Sequence, residues 1–166
     1  MWDLWRKHPL SLGHLNAGRG YSLIELLTAL AVASVVAAIG VPRLSSYAQQ
    51  YRLSGGANQI AVDVARARMK AIGENVHVRV RFGAQSFGSI GFGSTYQVST
   101  STDGVTFTSV GPPSSIAAGV NFYAFPQEVQ FNRQGLASAP LTLWLYNQSY
   151  QWRVVTMNSI GRVTVQ

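Results

Sequence analysis

The chain has 166 residues and a net charge of +7 at pH 7, with 47% hydrophobic and only 11% charged residues. Its charged fraction is well below the roughly 25% of an ordinary soluble domain. It contains no cysteine, which excludes disulfides, thiol catalysis and thiolate metal sites. The positive charge suits an anionic partner such as nucleic acid or lipid headgroups, but composition does not decide between them.

A long apolar run begins near the N-terminus. Residues 21–41 contain one charged side chain, Glu25. As a helix this run would be about 31 Å long, close to the roughly 30 Å of a bilayer hydrocarbon core. The basic residues before it favour a cytoplasmic N-terminus. A carboxylate at membrane depth costs roughly 2.5–3.5 kcal/mol, so Glu25 requires an explanation; hydropathy alone also allows a plain signal anchor that tolerates it.

The helical pattern continues beyond the apolar run. Pro42 lacks an N–H and clashes with the preceding turn, which predicts a helix break, and Gly55-Gly56 indicates a weak point or bend. Apolar residues then recur at helical spacing and predict an amphipathic helix with one face toward a core: Ala57, Ile60, Ala61, Val64 and Ala71. Gly73 predicts its C-terminal end.

The hydrophobic period changes to two after the helix. In "VHVRVRF", residues 76–82, the apolar side chains share one face, while His77, Arg79 and Arg81 share the other, as in a half-buried strand. Residues 83–120 are rich in glycine and serine; the glycines at 87–93 and "GPPSSIAAG" indicate loops. Further strand candidates are "TYQVST", "GVTFTSV", "VNFYAF", "EVQF", "LTLWLYN", "SYQWRVVTM" and "GRVTVQ". We expect an α+β protein in which the helix covers an antiparallel sheet.

The N-terminal motif resembles that of a known family. Gly20 followed by "YSLIELL" is similar to the type III signal of bacterial type IV pilins and type II secretion pseudopilins: a glycine, an aromatic residue, and a glutamate at the fifth mature position. Pro42 matches a helix-loosening proline of many pilins. "ANQIAVDVARARMKAIGENVHVRV", "FNRQGLAS" and "VVTMNSIGRVTV" resemble the GspH/FimT family of minor pilins and pseudopilins. The resemblance spans most of residues 20–165 but not 83–120.

The resemblance implies a type IV pilin fold and a division of the chain. Residues 1–20 would be a cytoplasmic leader, 21–42 a transmembrane and assembly helix, 43–75 its amphipathic continuation, and 76–166 an antiparallel β domain. A prepilin peptidase would cut after Gly20, and the new N-terminus at Tyr21 would be methylated. The protein would cross the inner membrane once, with its C-terminal domain in the periplasm, and assemble with other pilins into a type II secretion pseudopilus or a type IV pilus, in which it could be tip-associated.

The same resemblance gives Glu25 a role. Its carboxylate would pair with the Tyr21 amine of a neighbouring subunit, so that neither charge is buried alone. Loss of one partner of a buried pair costs about 3–5 kcal/mol. The alternative is a pair within one helix, because positions 21 and 25 share a helical face.

The sequence shows no enzyme, cofactor or metal site. Its carboxylates form no paired motif, His77 is the only histidine after the leader, and metal-ligand and phosphate-loop spacings are absent. The second function considered is a DNA-binding minor pilin for natural transformation, with Arg79, Arg81, Arg153 and Arg162 on one basic face. Thr164 stands where a second C-terminal base would help, so nucleic acid is the less favoured partner, and solvated faces serving assembly are preferred.

Overall fold

The structure is a computed structural model that describes residues 21–166. The expected leader, with the cleavage-site residue Gly20, lies outside the described residues. Helix α1 spans Leu23–Gly73 and is followed by eleven strands. The chain divides into two compact units within this helix, the first ending at Gly40 and the second running from Val41 to Gln166. The expected architecture, a long N-terminal helix followed by antiparallel sheet, is confirmed.

The described part of the first unit is the apolar start of α1. Its side chains are exposed, and the large ones, from Leu23 to Ile39, are each more than half exposed. Among the described residues, α1 is long and apolar enough to cross a membrane, and none of its most apolar stretch is buried within the structure. Such a surface needs a lipid or protein environment, because contiguous apolar area of this extent is not left in water.

The break expected at Pro42 is not seen, because α1 remains helical through that residue. A proline removes one backbone hydrogen bond, and the helical bonds before and after it persist. At Gly55-Gly56, where a weak point or bend is expected, α1 also stays helical. A Cβ at position 56 would lie 3.7 Å from Val120 and 3.8 Å from Leu145, so this part of the helix is packed closely against the sheet. The predicted end at Gly73 is confirmed, and Asn75 follows it with a φ of 54°.

Two antiparallel sheets form the rest of the second unit. The strands are β1 (His77–Phe82), β2 (Gln85–Phe87), β3 (Ile90–Gly93), β4 (Thr95–Ser101), β5 (Thr108–Ser109), β6 (Ser114–Ser115), β7 (Val120–Phe125), β8 (Glu128–Phe131), β9 (Leu141–Asn147), β10 (Trp152–Met157) and β11 (Val163–Val165). The five-stranded sheet has the order β5-β4-β1-β8, with β6 also paired to β4. The six-stranded sheet has the order β11-β10-β9-β7-β3-β2.

The prediction of a loop around residues 87–93 is wrong, because these residues belong to the hairpin β2–β3. Gly91 serves close packing, since a Cβ at this position would lie 2.1 Å from the Phe82 carbonyl oxygen. The second predicted loop, "GPPSSIAAG", contributes the two-residue strand β6, whereas "GVTFTSV" contributes only β5. The other strand candidates are found where the alternation predicts them.

The core of the second unit lies between one face of α1 and the inner faces of both sheets. Ile60 on the helix and Phe82 and Phe122 on the two sheets are fully buried, and the two phenylalanine rings meet edge to face with centroids 6.0 Å apart. The helix contributes Leu53, Ala57, Ile60, Val64, Ala67 and Ala71. Burial of this periodic stripe explains why the sequence specifies a helix here.

Candidate functional site

Glu25 lies in the first turn of α1. Ser22 precedes the helix, and its carbonyl accepts the Leu26 amide at 3.2 Å, which makes Ser22 the N-cap. The spacing Ser-x-x-Glu is that of a capping box, and a carboxylate at this end of a helix also interacts favourably with the helix dipole. Each of these local roles helps a charged residue to be tolerated at the start of an apolar helix.

The Glu25 carboxylate has no charged partner within the described residues, whose three ion pairs all lie elsewhere. Gly20 precedes Tyr21 in the sequence, so the nitrogen of Tyr21 is a peptide amide and carries no charge. Tyr21 also precedes the helix, which begins at Leu23, so the helical i,i+4 geometry of the within-helix alternative does not apply at this end. A pair between Glu25 and the α-amino group of Tyr21 would therefore require cleavage before Tyr21.

The two arginines of β1 lie on the outer face of the five-stranded sheet, because Val78, Val80 and Phe82 occupy the buried positions between them. The Arg79 guanidinium lies 3.8 Å from the centroid of the Phe107 ring, and its Nε is 3.9 Å from Glu128 Oε1. Arg81 is exposed and stands opposite Glu128 in the pairing of β1 with β8. A carboxylate therefore lies beside both arginines.

The other two arginines of the expected basic face lie on the six-stranded sheet, on different sides of it. Arg153 is paired with the buried Leu145, so it occupies an inward-facing position near the end of β10. Arg162 is exposed and precedes β11, in which Thr164 pairs with Thr156 on the outer face. Arg79, Arg81, Arg153 and Arg162 are thus distributed over three faces, and the structure does not bring them together.

Most other cations of the second unit are engaged within the chain. Arg66 pairs with Asp63 at 3.1 Å, and Lys70 pairs with Glu74 at 2.7 Å. The Nε of Arg68 donates to the Gly135 carbonyl at 3.0 Å. The guanidinium of Arg133 donates to the carbonyl of Thr102. These contacts favour a structural use of the positive charge.

No cluster of three potential metal ligands occurs in the part of the chain that the structure describes. The carboxylate of Asp103 accepts hydrogen bonds from the Ser101 hydroxyl at 2.5 Å and from the amides of Val105 and Thr106, each at 2.9 Å. These donors hold the pKa of Asp103 well below its usual range. The Asp103 carboxylate therefore stabilises the loop between β4 and β5, and these hydrogen bonds account for its position without a ligand.

An aromatic surface on the six-stranded sheet was missed in the sequence. Four rings from β3, β7, β9 and β10, which we call the aromatic stripe, run across its outer face: Phe92, Tyr123, Tyr146 and Trp152. Successive centroids are 6.5, 5.2 and 5.1 Å apart. The signal was present, because "VNFYAF" and "LTLWLYN" place aromatic residues at the alternate positions that solvent-facing polar residues normally occupy.

Comparisons with known proteins find matches both to the N-terminal segment and to the fold. Residues 15–41 match the family described as the prokaryotic N-terminal methylation motif. The type IV minor pilin FimU of Pseudomonas aeruginosa has a similar fold, with 12% identity and a TM-score of 0.56 over 72% of this chain and 92% of that one. The minor pseudopilin EpsH from the type 2 secretion system of Vibrio cholerae matches with 12% identity and a TM-score of 0.54 over 69% of this chain and 96% of that one.

No curated protein matches the sequence. The motif and the solved structures nevertheless confirm the resemblance to type IV pilin-like proteins, in the N-terminal segment and in the fold respectively. Prepilin-type processing and the roles of individual residues stay predictions.

Proposed function

We propose that this chain is a minor pilin-like subunit that is anchored in the inner membrane by residues 21–42 and assembled with other pilins into a pilus or pseudopilus. The observation that carries this proposal is the exposed apolar start of α1 with a carboxylate in its first turn, preceding a domain of pilin fold. The role is structural rather than catalytic. The β domain stands on the periplasmic side, since the basic residues before the run favour a cytoplasmic N-terminus.

Processing activates the anchor. Prepilin peptidase cuts after Gly20 and exposes the α-amino group of Tyr21, which is then methylated. A methylated secondary amine remains a cation at neutral pH. It enters the apolar interior of a filament at low cost only if a carboxylate lies beside it.

Glu25 supplies that carboxylate to the neighbouring subunit. Each subunit then presents an amine at its N-terminus and a carboxylate one turn later, so the pair fixes the axial register between adjacent helices. Buried pairs of this kind act more through register than through net stability. The apolar side chains around Glu25 supply the remaining contact by packing.

The experiment is to express Glu25→Ala in the cells of origin and follow its leader cleavage, membrane insertion and co-purification with pilin subunits. We expect cleavage and insertion to persist, because loss of the charge makes the segment easier to bury. Co-purification should fall by at least tenfold, since each 1.4 kcal/mol is a factor of ten and an unpaired buried charge costs about 3–5 kcal/mol.

A matched control is Glu74→Ala, which removes an exposed carboxylate just beyond the C-terminal end of the same helix, where it pairs with Lys70. This variant should assemble normally. Wild-type co-purification of Glu25→Ala, or equal losses in the two variants, would contradict the pairing role.

A further inference from the structure

The outer faces of the two sheets differ in chemistry. On the five-stranded sheet, the central outward positions of β1 and β4 hold Arg79, Arg81, Gln97 and Ser99. On the six-stranded sheet, the outward positions of the strands β7, β9 and β10 are mostly apolar or aromatic: Tyr123, Phe125, Trp144, Tyr146, Trp152 and Val154, beside the polar Asn121, Thr142 and Thr156. One fold thus contains a sheet with a solvated outer face and a second sheet with an aromatic one. Sheet stability alone does not require the second arrangement.

The aromatic side chains of this face are accessible in the described chain. Trp144 is 39% exposed, Tyr123 is 40% exposed and Trp152 is 49% exposed. Phe87 and Phe125 at the β2–β3 side are 81% and 52% exposed. A contiguous aromatic patch of this kind on a soluble domain marks an interaction site, and tryptophan and tyrosine are enriched at the residues that dominate binding energy.

The orientation of the rings indicates a protein partner. Tyr123 and Tyr146 are stacked on each other, with 14° between their planes, and Trp152 lies 33° from the plane of Tyr146. The ring faces that Tyr123 and Tyr146 turn toward one another are therefore covered, and their two hydroxyls lie within reach of each other. A platform for nucleic-acid bases needs the opposite arrangement, with open ring faces. Packed rings with polar tips are typical of protein interfaces.

The charge of this face indicates what kind of protein it fits. The six strands of the sheet contain no aspartate or glutamate, and Arg162 lies at the β11 end of the outer face. The carboxylates of the second unit lie outside this sheet: Asp63, Glu74, Asp103 and Glu128. A second copy docked through this same face would present a surface that also lacks carboxylates, whereas a different chain with acidic residues at its rim would be complementary to Arg162.

We propose that the outer face of the six-stranded sheet docks a neighbouring pilin-like subunit that is a different chain, with an apolar centre and carboxylates at its rim. This inference rests on the proposed function, because it assigns the contact made by the β domain in the same assembly. The helix supplies the shared packing of all subunits, and the aromatic face selects which subunit stands beside this one. Trp152 and Tyr123 are the anchors, and Arg162 meets a carboxylate of the partner.

The test places a photocrosslinking amino acid at position 123 of the full chain, in the cells of origin, and maps the adduct by mass spectrometry. The matched probe is position 99 on the outer face of the five-stranded sheet. Trp152→Thr is introduced in a second chain carrying the probe at 123. Phe107→Thr is the control, because it removes an aromatic ring that lies against Arg79 of the other sheet. We expect an adduct with a different pilin-like chain, at a segment containing aspartate or glutamate.

The adduct from position 123 should fall by about tenfold in Trp152→Thr, as for an interface anchor, and stay unchanged in Phe107→Thr. The probe at position 99 should give no adduct with the same segment. An adduct with a second copy of this chain, with nucleic acid or with a segment lacking carboxylates would overturn the inference. The absence of any adduct at 123, or equal yields in the two variants, would also overturn it.

One further measurement and the unsubstituted probe chain keep the outcomes distinct. Near-ultraviolet circular dichroism of each full-length variant shows whether its β domain is folded. The chain that carries only the probe at 123 tests the contact without either substitution. If the chain co-purifies with pilins but position 123 gives no adduct, the docking inference fails and the proposed function stands. If it does not co-purify with pilins at all, both fail.

Discussion

At the scale of single residues, Tyr96 joins the five-stranded sheet to α1. Its hydroxyl donates to the Asp63 carboxylate and accepts a hydrogen bond from Gln59 Nε2 at 3.3 Å. Burial, and then the hydrogen bond to Asp63, raise the pKa of Tyr96 to about 12 from 10.0. The phenol is therefore held in its neutral form by the fold.

The titration of Tyr96 gives the first residue-scale prediction. Because its pKa is raised in the fold, the unfolded chain loses this proton first as pH rises. The contribution to stability is complete below pH 10 and is lost between about pH 10 and 12. Tyr96→Phe should remove that part of the pH slope, as measured by urea unfolding of the detergent-solubilised chain under near-ultraviolet circular dichroism. Identical slopes for the two proteins would contradict this assignment.

Gly20 gives the second residue-scale prediction. We expect Gly20→Glu to leave a full-length membrane protein, because the bulky charged side chain replaces the small residue before the cleavage site. An immunoblot of the membrane fraction should show only the longer form. Gly18→Glu is the matched control, since it introduces the same charge two residues earlier, and it should be cleaved. Normal cleavage of Gly20→Glu would contradict the assigned site.

At the scale of elements, two glycines should respond to alanine with opposite signs. A Cβ on Gly91 in β3 would lie 2.1 Å from the Phe82 carbonyl oxygen, whereas one on Gly55 in α1 would meet nothing within 4 Å. Gly91→Ala should lower the free energy of unfolding by about 1–3 kcal/mol through overpacking. Gly55→Ala should raise it by roughly 0.5–1 kcal/mol through helix propensity. Urea unfolding measures both, and a neutral Gly91→Ala would show that β3 does not pack there.

The same elements show how far the sequence determines the fold. The long helix and the strands with strict alternation follow from hydrophobic period, as in "VHVRVRF" and "LTLWLYN", because one face of each is buried. The β2–β3 hairpin could not be predicted in that way, since Gly91 is selected by the approach of a backbone carbonyl rather than by alternation. The continuation of α1 through Pro42 was also not predicted. The local preference of proline disfavours a helix, and it does not include the effect of the helical turns on both sides.

The candidate site could be predicted only in part from the sequence, for a related reason. Glu25 is marked by its position in the sequence, and its surroundings follow from the apolar run. The sequence could not show that the four arginines lie on different faces. That result depends on the strand order of two sheets and on the inward-facing position of Arg153. The aromatic face could have been recognised from outward aromatics in two neighbouring strand candidates.

At the scale of the whole molecule, the distribution of arginines limits binding to duplex DNA. With no more than about two of the candidate arginines on any one face, the slope of log K against log[salt] should be shallower than about −2, at roughly −0.9 per phosphate contacted. Arg162→Gln should weaken binding uniformly across sequences by at most one contact. A slope of −3 or steeper for the full chain in neutral detergent would show that these cations converge in solution.

The central claim is that the chain is a processed, pilin-like subunit, and the mature N-terminus tests it most directly. The measurement is mass spectrometry of the N-terminal peptide of the protein isolated from the membrane and from assembled filaments. We predict a peptide that begins at Tyr21, carries one added methyl group on its α-amino nitrogen and retains Glu25 in the intact apolar run. A mature chain that begins beyond Val41 would identify residues 21–41 as an ordinary signal peptide, and an unprocessed N-terminus in both fractions would equally contradict the account.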